Sequence, residues 1–142
     1  MTYEGQAAIL LEQCADSLER GAYPTGLGDD PMIELRGSDL VRGAVEDLRA
    51  GRSAATVAAR FHNTLARCAV QACARLRDRT GLAVVALSGG VFQNALLLER
   101  TAHGLEAARF RVLTHSALPP NDGGVSFGQA VVAAARDRRR TR

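Results

Sequence analysis

Ala83-Val-Val-Ala-Leu87-Ser-Gly-Gly-Val91-Phe-Gln-Asn94 is the stretch on which the fold turns. Its first five residues form a short, wholly apolar run with two valines, the pattern of a parallel strand covered on both faces. Gly89 and Gly90 end that run, and a helix is predicted from about Phe92 to Ala108. Working toward the C-terminus, Phe110 to Thr114 reads as a second strand, Ser116 to Asp122 as a proline-bearing loop, and Gly124 to Arg136 as a last helix. Strand, glycine turn, helix, strand, loop, helix is a βαβα unit. Parallel neighbours need a right-handed crossover, and the helix from Phe92 supplies one. The class is therefore α/β. Two strands make a narrow sheet with unpaired edges, so further strands are expected from elsewhere, in this chain or in another.

Working toward the N-terminus, Ser53 is placed to cap a long helix ending near Arg79. Val57, Phe61, Leu65, Cys68, Ala72 and Leu76 form its apolar stripe, and Gly81 stands at its C-terminal cap. Ser38 reads as the cap of a shorter helix carrying Leu40, Val41, Ala44, Val45 and Leu48 and stopping at Gly51. Gly21, Pro24, Gly26, Gly28 and Pro31 mark a loop. Before it, a helix from Glu4 to about Leu18 is predicted to bury Ala7, Ala8, Leu11, Cys14, Ala15 and Leu18 on one face.

With 142 residues, 46% apolar and 23% charged, the chain suits one domain with a real core. It shows neither a secretory leader nor an apolar run of membrane-spanning length, which predicts a cytoplasmic protein with no membrane partner. Three cysteines, Cys14, Cys68 and Cys73, are odd in number and lack metal-site spacing; Cys14 and Cys68 fall on helical stripes as small hydrophobes. The net charge of +3 comes without a single lysine, which excludes a Walker A lysine, a Schiff base and a lysine general base. Residues 137–142 form a basic tail, read as a solvated end. With aromatics at 4% of the chain there are few stacking platforms, so nucleic acid is not the expected partner.

Three groups of residues could carry chemistry. Ser88, Gly89 and Gly90, with Asn94 one turn on, lie at the carboxyl end of a strand and the start of a helix. There a close backbone approach and N–H groups suit a phosphate, although a plain connecting turn fits the same residues. Pro119-Pro-Asn-Asp-Gly-Gly124 follows the second strand's carboxyl end, and Asp122 there either caps a helix or holds a hard cation. Glu4, in Thr2-Tyr-Glu-Gly-Gln6, either favours a helix dipole or accepts hydrogen bonds from ribose hydroxyls. The two strand-end loops are expected to open into one crevice. His62, His103 and His115 show no metal-ligand spacing; His62 reads as structural, and His115 lies near the crevice.

Thr2-Tyr-Glu-Gly-Gln-Ala-Ala8, Ala59-Arg-Phe-His-Asn-Thr64, Leu87-Ser-Gly-Gly-Val-Phe-Gln-Asn94 and Pro119-Pro-Asn-Asp-Gly-Gly124, taken in that order, resemble the C-terminal end of the HypF-type carbamoyltransferases of nickel–iron hydrogenase maturation. The resemblance implies a partial lobe of the actin-like ATPase (ribonuclease H-like) fold over residues 1–136. It implies ATP or carbamoyladenylate as ligand, with Ser88, Gly89, Gly90 and Asn94 along phosphate and sugar and Glu4 at the ribose. Asp122 would be the carboxylate on the side of a divalent metal, and no catalytic residue is implied. The family passes a carbamoyl group to a cysteine of a HypE-type acceptor. Its paired metal-binding histidines and the early strands of this lobe lie upstream of the matching region. On that pattern the chain needs a missing upstream half, or a second copy of itself, and is inactive alone. Two other readings stay open: a non-catalytic interaction or dimerisation module, and an RNA-associated relative of the tRNA threonylcarbamoyl transferases.

Overall fold

A computed structural model describes residues 2–28 and 32–140. Pro31 of the expected loop and residues 141–142 of the expected tail lie outside these. In chain order the elements are α1 (Gln6–Cys14), β1 (Leu27–Gly28), β2 (Glu34–Leu35), α2 (Gly37–Arg49), α3 (Ala54–Thr80), β3 (Val84–Ala86), α4 (Ala95–Ala107), β4 (Arg111–Leu113) and α5 (Val125–Arg140). Two 3₁₀ turns, Gly90–Gln93 and Asp122–Gly124, follow β3 and β4 respectively.

The long helix α3 organises the rest. Ser53 Oγ accepts from the Thr56 N–H, and Gly81 closes the other end at φ 74°, a backbone conformation that suits glycine. Both caps stand where the sequence puts them. Helices α1, α2 and α4 all pack on α3, and α4 makes the largest of these interfaces. Its approach is close because Gly104 faces Val70: a Cβ on Gly104 would lie 2.8 Å from Val70 Cγ2. Leu87, Leu105 and Phe110 form the core behind that contact, with Val70, Val85 and Val112 packed around them. The Arg77 guanidinium covers Phe110, 4.4 Å from its ring centroid, and donates to the Ala108 carbonyl at 2.7 Å. This fastens the turn after α4, where Arg109 takes the left-handed conformation at φ 63°.

Strands β3 and β4 pair in parallel, Val84 with Arg111 through Ala86 with Leu113, and α4 is the crossover. The α/β class and the βαβα order hold as expected. The expected burial of the first strand on both faces does not: Val85 is half-buried while Val84 and Ala86 are exposed. The exposed side chains are those on the sheet face opposite the core. The loop around Gly26 and Gly28 contains structure that glycine and proline content had hidden, because β1 and β2 pair there as a two-residue antiparallel ladder.

Four helices also differ at their boundaries. Helix α1 ends at Cys14 rather than running to Leu18 and has no buried residue; Cys14 is exposed and Leu18 is 80% exposed. The cause is Asp16, whose carboxylate accepts from the Leu18 N–H while its own N–H donates to Ala55 O, turning the chain off the helix axis. Ser38 lies inside α2, which starts one residue earlier behind Arg36 without a side-chain cap. The predicted helix from Phe92 divides into the 3₁₀ turn and then α4, because Asn94 takes an extended conformation and caps α4 through Leu97 N–H. Helix α5 continues past Arg136 to Arg140. No helix among the described residues is long and apolar enough to cross a membrane.

Candidate functional site

The loop after β3 and the loop after β4 meet. The Gly89 N–H donates to Pro120 O at 2.8 Å, one step beyond the ladder bond from Leu87 N–H to Leu113 O. A cleft of about 710 Å³ opens beside this junction, lined by Glu4, Gly90 and Asn94 together with Asn121, Asp122 and Glu12. Four of the six residues singled out in the sequence therefore share one cavity. It lies at the carboxyl ends of the parallel strands, where ligands of α/β sheets bind.

The other two are placed differently. Gly89 sits at φ 97°, which favours glycine, and its N–H is spent on Pro120, so it shapes the junction rather than lining the cleft. Ser88 turns away, and its hydroxyl pairs with His115 Nε2 at 2.8 Å; neither residue lines the cleft. The backbone groups available to a ligand are those heading the 3₁₀ turn at Gly90 and Val91, because the first amides of a helical turn have no partner inside it. A Cβ at Gly90 would meet nothing within 4 Å, which leaves open space above that peptide.

The start of α4 is already satisfied from within the protein. Asn94 Oδ1 accepts from Leu97 N–H at 2.8 Å, and Glu12 Oε1 accepts from Leu96 N–H at 3.2 Å. Asn94 Nδ2 lies 2.9 Å from His62 Nε2, and His62 Nδ1 lies 2.8 Å from Ala58 O. A carbonyl only accepts, so His62 carries its proton on Nδ1 and Nε2 accepts from Asn94. Both ends of the Asn94 amide are thus engaged in fixing this wall of the cleft. Glu12 was missed by sequence reasoning: its partner lies 84 positions away, and no local pattern connects the two.

Around Asp122 the helix-cap reading fails. The cap is Asn121, whose Oδ1 accepts from Gly123 N–H at 3.0 Å. Asp122 lines the cleft with Glu4 and Glu12, three carboxylates with no arginine among the lining residues. No group of three His, Cys, Asp or Glu side chains suited to a metal occurs among the described residues, so these residues alone do not build a metal site. The buried Cys68 thiol and the half-buried Cys73 thiol are pushed up by desolvation, which makes them poor nucleophiles.

The Ala59-Arg-Phe-His-Asn-Thr64 segment works as scaffold. Beyond His62, Asn63 Nδ2 donates to Glu19 O and Gly21 O, and Thr64 Oγ1 accepts from Tyr23 N–H. Arg60 pairs with Asp47 at 2.9 Å and with Glu19 at 3.4 Å. Together these bonds pin the 19–23 segment and α2 to α3.

Residues 1–129 match the family described as carbamoyltransferase, Kae1-like domain, second subdomain. The carbamoyltransferase HypF of Synechocystis sp. is 35% identical over 131 residues, covering 91% of this chain and 16% of the relative. A carbamoyltransferase HypF homolog of Cupriavidus necator is 37% identical over 92% of this chain and 35% of its own length. Among solved structures, full-length HypF in its phosphate- and nucleotide-bound form superposes with a TM-score of 0.89 at 34% identity, covering 94% of this chain and 18% of that one. The chain thus spans between about a sixth and a third of the length of these relatives. On the matched residues, the sequence identity and the shared fold, this chain belongs to the HypF carbamoyltransferase family and corresponds to the second subdomain of its Kae1-like domain.

Proposed function

We propose that this chain supplies one wall of a nucleotide site, for ATP or carbamoyladenylate, in a HypF-type carbamoyltransferase serving cyanide-ligand maturation of nickel–iron hydrogenase. The observation that carries the reading is the meeting of the β3 and β4 loops in one cleft shared by Glu4, Gly90 and Asp122. In it the amides at Gly90 and Val91 face a phosphate oxygen, and Glu4 accepts from ribose hydroxyls. Within this reading the lobe is of the actin-like ATPase, ribonuclease H-like kind, spanning residues 1–136 with a basic tail beyond.

The electrostatics of the cleft set a condition on this role. Three carboxylates without a lining cation repel a polyphosphate, so its charge must be neutralised from outside this chain. The upstream half of the carbamoyltransferase does this, including any divalent metal, to which Asp122 contributes one carboxylate; transfer to a HypE-type acceptor then belongs to the assembled protein. A chain acting alone is inactive and binds nucleotide weakly. Calorimetric titration with a non-hydrolysable ATP analogue, with and without a separately produced upstream half, tests this. Binding that strengthens on adding that half and is lost in Gly90→Val supports the role. Equal silence in both titrations at millimolar nucleotide rejects it.

The exposed apolar surface favours a second reading for the isolated chain, an interaction module. Val84 and Leu113 on the sheet and Phe127 and Val131 on α5 are each between 43% and 55% exposed. The partner that covers them is the same upstream half, or a second copy pairing its sheet edges.

A further inference from the structure

A second cavity of about 700 Å³ lies between α3, α4 and the segment after α1, and it shares no lining residue with the first. Its charge is of the opposite kind. Arg20, Arg67 and Arg100 line it against a single lining carboxylate, Glu99. Each guanidinium comes from a different element, and each is held by neutral acceptors. Arg100 Nη1 donates to Ala59 O at 3.0 Å and to Asn63 Oδ1 at 2.5 Å. Arg67 Nη2 donates to Arg20 O at 2.7 Å, and Arg20 Nη1 to Ser17 O at 2.6 Å. None of the three forms an ion pair among the described residues.

The arrangement is rigid before any ligand arrives. The carbonyls of Glu19, Arg20 and Gly21 all accept from α3 side chains, Asn63 taking the outer two and Arg67 the middle one. Asn63 is itself buried and also receives Arg100, so one amide fixes both the floor of the cavity and the backbone that carries Arg20. The cost is visible at Arg100, where burial first and the Arg20 charge second favour loss of its proton; Glu99 and Asp16 act the other way. Like charges held together with unused N–H donors are stabilised by an anion.

We propose that this groove is an oxyanion site for the phosphoryl group of a small phosphorylated molecule. A carboxylate is satisfied by the fork of one arginine, whereas a tetrahedral dianion has acceptors enough for three guanidiniums converging from different directions. The volume exceeds that of phosphate alone and falls in the range of small-molecule sites.

Inorganic phosphate is the probe, titrated into the full chain against chloride at matched ionic strength, with thermal unfolding and the arginine Nε–H resonances as readouts. Saturable stabilisation is expected, with shifts of the Arg20, Arg67 and Arg100 resonances. Affinity should fall by about tenfold or more in Arg20→Gln and in Arg67→Gln, both exposed positions where the fold is kept. It should be unchanged in Gly90→Val, which lies in the other cavity. A response equal to that of chloride, one that survives the double arginine variant, or one abolished by Gly90→Val overturns the proposal. Binding of a polyglutamate peptide with none of phosphate also overturns it, in favour of an acidic polypeptide.

Discussion

At the scale of single residues, most of the polar side chains near the cleft are engaged with one another. Asn94 caps α4 with one end of its amide and donates to the buried His62 with the other. Asn94→Ala removes the cap and leaves the His62 nitrogen unpaired in the interior. The expected loss is on the order of 2 kcal/mol in urea unfolding, far beyond a surface substitution; a loss of a few tenths would contradict the network. Tyr23 gives a pH-dependent test. Burial, and then the neighbouring Asp47 carboxylate, push its phenol up to about 12. A folded-state value above the unfolded one, about 10, means that the folded protein holds this proton more tightly. Its contribution is therefore complete below about pH 10 and is lost as pH rises through 12. Tyr23→Phe should flatten the fall in stability over that window. An unchanged alkaline limb would contradict this. Gly90, Asn94, Asp122 and Glu4 were legible through motifs that resemble those of a known family; on residue chemistry alone a plain turn or a helix cap suited them as well. Glu12 and the arginine groove were not, because their partners meet only after α1, α3 and α4 have packed.

At the scale of elements, the α3–α4 contact decides where the cleft wall stands. Gly104 lets the two helices approach, and Val70 fills the space where its side chain would be. Alanine is the better helix former by roughly 1 kcal/mol, yet Gly104→Ala should destabilise, because the branched Val70 cannot swing aside. Val70→Ala in the same chain should recover part of the loss, a coupling that a double-mutant cycle measures; strict additivity would contradict the contact. The sequence was most readable here where a cap or a stripe acts locally, as with Ser53 and Gly81 on α3. It was least readable where a distant partner overrides the pattern. The apolar spacing through Leu18 is helical, but the hydrogen bond from Asp16 N–H to Ala55 O ends α1 first. The five-residue apolar run of β3 reads as buried on both faces, and only one face is covered by this chain.

At the scale of the whole molecule, that uncovered face is informative. Val84 on β3, Leu113 on β4, and Val125, Phe127, Val131 and Val132 on α5 leave apolar surface spread over three elements. The chain also spans only 16% of the Synechocystis relative and 18% of the full-length HypF structure. An apolar dye should bind the isolated chain, and co-production with an upstream half from a HypF relative should suppress that binding and raise the unfolding temperature. Dye binding that persists in a stable complex would show that the surface is covered by something else. The β3 and β4 loops meet beside one cleft. The most direct test of their role is to follow backbone amide resonances of the chain, with the upstream half present, during titration with a non-hydrolysable ATP analogue. If the two loops serve one nucleotide site, Gly90, Val91, Asp122 and Gly123 shift together along one saturation curve; shifts confined to one loop, or to neither, would contradict a shared site.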